Sequence, residues 1–102
     1  MDFLKLTNDN FSELKIQIKK DVIFKELDDE MIIMDMNSGR YFGLNETGAK
    51  IWSLLNDHHN IGTIINLLHD EYEISKEKCK KEVIAFIQDI LDKGLINVEK
   101  TV

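Results

Sequence analysis

The stretch Ser38-Gly39-Arg40-Tyr41-Phe42-Gly43-Leu44-Asn45-Glu46-Thr47-Gly48 decides the fold, because the chain changes its hydrophobic period inside it. Before Asn45, short apolar runs are punctuated by turn residues. After it, apolar residues recur at helical spacing. Arg40 to Leu44 is short enough to be an ordinary strand, and it is entered through the turn cluster Asn37-Ser38-Gly39. Asn45 suits a helix N-cap, because its side-chain oxygen can accept from a free amide of the first turn. Glu46 behind it complements the positive end of the helix dipole.

Working back from this point, Met31 to Met36 (MIIMDM) is an apolar run, Asp28-Asp29 is a turn, and Val22 to Leu27 (VIFKEL) begins with β-branched and aromatic residues. Two turns between three short runs predict an antiparallel meander over residues 22–44. Further upstream, Leu14-Lys15-Ile16-Gln17-Ile18-Lys19 alternates like a half-buried strand. Residues 1–13 have no period and contain the turn cluster Asn8-Asp9-Asn10. They read as a loosely ordered arm ahead of one domain over residues 14–102.

Working forward, Ile51, Trp52 and Leu55 share one face of a first helix, which Asp57-His58-His59 breaks. Asn60 caps a second helix carrying Ile61, Ile64, Ile65, Leu67, Leu68 and Tyr72. Ser75 caps a third, with Glu77 in its first turn, the stripe Val83, Phe86, Ile87, Ile90 and Leu91, and Gly94 as its stop. Three helices are therefore predicted over residues 45–93. Leu95 to Val98 reads as an extended tail returning to the core. Strands followed by helices make an α+β chain. A trio of short-linked helices beside a β-ribbon is a winged helix-turn-helix-like arrangement.

The 102 residues fit one domain with a modest core, and 43% hydrophobic with 31% charged residues is ordinary for a globular chain. No apolar run approaches the ~18 residues of a spanning helix, and no secretory signal is expected at the N-terminus. One cysteine, Cys79, excludes an internal disulfide and a multi-cysteine metal site, which points to the reducing cytoplasm. Thirteen Lys and Arg against nineteen Asp and Glu give a formal charge of −6. Such a chain is repelled on average by phosphate backbones.

Catalytic chemistry is not legible. No Gly-rich phosphate loop occurs. His58-His59 lacks the converging ligands of a metal site and reads as a solvated loop. Cys79 sits among Lys76, Lys78, Lys80 and Lys81, whose charges favour a thiolate, but no base of defined geometry accompanies it. The simpler reading is a small apolar residue on the helix stripe. No catalytic residue, metal or cofactor is expected. Trp52 reads as core. Tyr41 and Phe42 are strand neighbours and point to opposite faces, so one of them is free for a partner. A winged-helix DNA-binding regulator is the alternative reading. It needs cationic side chains on the recognition helix, but residues 60–72 carry no Lys or Arg and include Asp70 and Glu71.

Ser38 to Gly48, Ala49 to Leu55 (AKIWSLL) and Glu82 to Ile96 (EVIAFIQDILDKGLI) resemble the PqqD-like family in matching order, with similarity running from about Val22 to Val98. The resemblance implies three strands and three helices in a winged-helix-like fold. It also implies a non-catalytic recognition element for ribosomally made precursor peptides. A leader segment adds as a strand beside the third strand, in the groove it makes with the third helix. The precursor is then presented to a separate modifying enzyme, such as a radical S-adenosylmethionine enzyme or the leader protease of a lasso peptide pathway. Carried onto this chain, the edge falls on Arg40, Tyr41, Phe42, Gly43 and Leu44. The helix wall falls on Cys79, Glu82, Val83, Phe86 and Asp89, a row at three- and four-residue spacing of which part must face the core. Self-association into a homodimer stays open.

Overall fold

A computed structural model describes residues 14–100; the expected arm over residues 1–13 lies outside them. The elements are β1 (Leu14–Ile18), β2 (Val22–Leu27), β3 (Glu30–Asp35), β4 (Arg40–Leu44), α1 (Glu46–Asp57), α2 (Ile61–Glu71), α3 (Lys76–Asp92) and β5 (Ile96–Lys100). The meander is present as β2-β3-β4, antiparallel throughout, with Ile33 opposite Phe24 on one side and Phe42 on the other. The expected tail is a strand. β5 pairs antiparallel with β1, placing Val98 opposite Ile16.

The three helix starts are capped as their sequences require. Asn45 Oδ1 accepts from the Gly48 amide at 2.9 Å, Asn60 Oδ1 from Thr63 at 3.1 Å, and Ser75 Oγ from Lys78 at 3.1 Å. The second strand of the meander starts at Glu30 and ends at Asp35, one residue earlier at each end than the apolar run suggests. Asp35 is the reason. Its Oδ1 accepts from the Asn37 amide, its Oδ2 from the Ser38 hydroxyl, and its carbonyl from the Gly39 amide, so the turn begins there and Met36 falls inside it.

The core gathers every layer. Leu14 and Ile16 of β1, Met31 and Ile33 of β3, Ile51, Trp52 and Leu55 of α1, Ile61, Ile64 and Leu68 of α2 and Cys79, Val83, Ile87 and Ile90 of α3 are all buried. Trp52 is the largest of them, and Phe24 of β2 meets its ring edge-on at a centroid distance of 6.0 Å. β1 is also tied to the α1–α2 connection, since the Ile16 amide donates to the His59 carbonyl at 2.9 Å. On the other face of the meander, Ile23, Leu27, Ile32 and Tyr41 stay exposed.

α3 stops at a left-handed glycine. Gly94 has φ +75°, its amide donates to the Leu91 carbonyl, and the Leu95 amide reaches back to the Ile90 carbonyl. This pair of bonds closes the helix end and buries Leu95 against the last turn. Replacing Gly94 by alanine strains the backbone at that φ, and the expected loss is about 1 kcal/mol in urea unfolding at unchanged slope.

Candidate functional site

β4 ends at Leu44 and α1 begins at Glu46, so Asn45 alone turns the chain from strand to helix. The turn brings the first turn of α1 against α3. A Cβ built on Gly48 would lie 3.3 Å from Phe86 Cε1, and 3.4 Å from both Asn45 Oδ1 and Leu44 Cβ. Glycine is thus what lets the helix start sit this close. Between β4 and α3 an open groove of about 730 Å³ remains. Phe42, Leu44, Ile51, Phe86, Ile90 and Leu95 give it an apolar floor, while Glu82, Asp89 and Lys93 stand along the α3 side.

β4 is the outer strand of its sheet, paired to β3 alone among the described residues. Its other edge presents backbone N–H and C=O groups without a strand partner, which is a template for another chain. Alternation sets its side chains. Phe42 and Leu44 turn inward and are half-buried, whereas Tyr41 is 66% exposed and Gly43 lies open, with nothing within 4 Å of where its Cβ would be. Of Tyr41 and Phe42, the phenylalanine is the inward one.

Among the candidate residues, Tyr41, Phe42, Gly43, Leu44, Glu82, Phe86 and Asp89 line this one groove. Arg40 sits at its end, with its guanidinium carbon 5.0 Å from the centroid of the Phe42 ring. Cys79 and Val83 do not line it. Both are fully buried in the core, on the face of α3 turned inward. The expected row joined two faces of one helix. Cys79, Val83, Ile87 and Ile90 make the core row, and Glu82, Phe86, Asp89 and Lys93 make the groove row, one residue ahead of it. One residue is about 100° of rotation on an α-helix. Sequence reasoning missed Asn45, Thr47, Gly48, Ile51, Ala85, Ile90, Lys93 and Leu95 as lining residues. The signal for Ala85 and Lys93 was their three- and four-residue spacing from Glu82 and Asp89.

The electrostatics of the groove are local. Lys93 pairs with Asp89 at 2.7 Å, one turn apart, and its ammonium also lies 5.5 Å from the Phe42 centroid. The thiol of Cys79 is pushed above its ordinary range by desolvation first and by the nearby Glu82 carboxylate second. A thiol held in its neutral form is a poor nucleophile. Its surroundings are those of a packed side chain.

An α+β domain of this kind, with a three-stranded meander, three helices and a strand edge that has no partner among the described residues and faces the last helix, defines a winged-helix-like class. The particular family is established by sequence. The family model described as coenzyme PQQ synthesis protein D (PqqD) matches residues 30–96, most of the chain, and the chain belongs to that family. No curated protein matches this sequence as a relative. Among solved structures, TbiB1 in complex with the TbiA(beta) leader peptide is similar to this chain, with a TM-score of 0.75 and 27% identity over 79% of this chain and 94% of its own. A lasso peptide synthetase B1 complexed with the leader peptide has a TM-score of 0.73 and 24% identity, covering 81% of this chain and 98% of its own, a likeness of fold.

Two outcomes follow from this geometry. Gly48→Val must displace Phe86 or the helix start, and is expected to cost about 1–3 kcal/mol in chemical unfolding. Cys79 should resist a thiol reagent in the native protein and react on unfolding. Because its folded pKa lies above its unfolded value, the stability linked to the neutral thiol is present below the ordinary thiol range and is lost as pH rises through it. Unfolding midpoints measured across that alkaline range check the sign.

Proposed function

We propose that this chain is a non-catalytic adaptor that binds the leader segment of a ribosomally made precursor peptide and presents it to a separate modifying enzyme. The observation that carries the proposal is the open edge of β4 lying along an apolar groove against α3. A leader segment adding to Arg40–Leu44 gains main-chain hydrogen bonds for affinity, and the pocket floor selects its side chains. Gly43 suits this role, because a bare position on an edge strand leaves the backbone uncovered. The two leader-bound structures that share the fold support the same reading. The enzyme partner is a radical S-adenosylmethionine enzyme or a leader protease. The setting is the cytoplasm, consistent with one unpaired cysteine. Among the described residues no helix is long and apolar enough to cross a membrane.

DNA binding fits this surface poorly. α2 presents Asp70 and Glu71 and has no Lys or Arg, with His69 its one basic side chain, so it offers no fixed positive charge to a phosphate backbone.

The test is a titration of synthetic leader peptides, taken from any short open reading frame found beside this chain's gene, into isotope-labelled protein. Amides of Arg40–Leu44 should shift, and the alternate ones that face the open edge should become protected from hydrogen exchange. Gly43→Pro, which removes one edge N–H, should lower the affinity by up to about tenfold, the equivalent of one hydrogen bond, with thermal melts controlling for the strand. Saturable binding that leaves those amides unprotected would place the peptide elsewhere, and absence of binding would remove the adaptor reading.

A further inference from the structure

Two cations crowd one ring at the Phe42 end of the groove. The Arg40 guanidinium carbon lies 5.0 Å and the Lys93 ammonium 5.5 Å from the Phe42 centroid. Their carboxylate partners are unequal. Lys93 is shared with Asp89, whereas Arg40 has no carboxylate partner among the described residues. The acidic residue directly across the sheet from Arg40 is Asp35. Both oxygens of Asp35 are committed to the turn, one to the Asn37 amide and one to the Ser38 hydroxyl. Arg40 therefore lies against Phe42 as a cation near its ring, with its fork of five N–H donors left for a ligand. Arg40 is also the only arginine in a chain of formal charge −6.

The other end of the groove has the opposite sign. Phe86 is in contact with the start of α1, and Lys93 is two turns further along α3, at Phe42. α3 thus runs against the direction of β4, and Glu82 lies one turn beyond Phe86, past Leu44. From Glu82 to Lys93 the helix rises roughly 16 Å, the length of about five residues of extended chain.

We propose that the groove reads the charge of its peptide as well as its apolar side chains: an acidic side chain of the leader docks at the Phe42 end, where Arg40 and Lys93 stand beside the ring. This inference rests on the peptide-binding reading above and adds a selectivity rule to it. Guanidinium and carboxylate form a planar two-point pair. Contact with the Phe42 ring restricts the Arg40 side chain in advance, so less side-chain freedom is lost when the carboxylate arrives. Main-chain pairing along an edge strand is tolerant of sequence and of slippage by two residues. A charge contact at one end fixes the register.

The experiment uses the full chain and a displayed library of random twelve-residue peptides. Binders aligned on their apolar positions should be enriched in Asp or Glu at one fixed position. One selected peptide is then resynthesised with that residue changed to its amide. The wild-type protein should prefer the acid by about tenfold in Kd, one charge-assisted hydrogen bond's worth, and the preference should shrink as salt rises. Arg40→Gln and Lys93→Gln should each reduce it, and Arg40→Glu should move the selection toward Lys or Arg. Lys81→Gln removes the same unit of charge from an exposed position of α3 that does not line the groove, and should leave the preference intact. Binders with no acidic preference at a fixed position, or a preference that survives both glutamine variants, overturn this inference while leaving peptide binding in place. A library that yields no binder overturns both. The comparison of acid and amide peptides on the wild-type protein needs no variant to fold.

Discussion

The close approach of Gly48 to Phe86 is the constraint on which the site depends. Strand β4 and helix α1 are separated by one residue, so the direction of the strand and the position of the helix start are not independent. Asn45 sets the angle by capping α1, and Gly48 sets the distance by having no side chain where Phe86, Leu44 and the Asn45 oxygen converge. Once these are fixed, α3 lies alongside β4 rather than on top of it. The space left between them is the groove. A larger residue at position 48 would push on the aromatic ring that forms its floor, so packing and recognition share the same atoms.

The lower half of the domain holds this arrangement from behind. Trp52 and Ile51 on the buried face of α1 meet Phe24 of the meander and the core row of α3. β5 returns after the Gly94 stop to pair with β1, and β1 is bonded to the α1–α2 connection. Strands far apart in sequence thus brace the helices, while the outer edge of β4 has no strand partner among the described residues. A sheet that paired both edges of β4 would be better protected against aggregation, but it would have no template for a partner.

Much of this was legible in the residues. The change of period at Asn45, the three cap residues and Gly94 each carry a local physical signal, because a helix end must satisfy its own amides or carbonyls whatever the rest of the chain does. Alternation required one of Tyr41 and Phe42 to turn inward, but which of the two depended on the register that the tertiary packing sets. The second strand was misplaced by one residue because the apolar run MIIMDM carries no mark of where pairing stops. The mark is Asp35, whose side chain bonds forward into the turn. Asp is legible as a turn former, but here it sits inside the apolar run.

The wall of the groove was harder to read for a different reason. α3 is amphipathic, but it has two packed faces: one buried in the core and one lining a groove open to water. Hydrophobicity separates apolar from polar positions, and Phe86 and Ile90 count as apolar in either role. What distinguishes the two rows is their polar members. A core row cannot hold an unpaired charge without a large penalty, so Glu82, Asp89 and Lys93 must belong to the row that meets solvent, and Cys79 and Val83 to the row that does not. Read that way, charge gives the phase of the helix where apolar spacing does not: Glu82 marks one end of the groove and the Asp89–Lys93 pair the other.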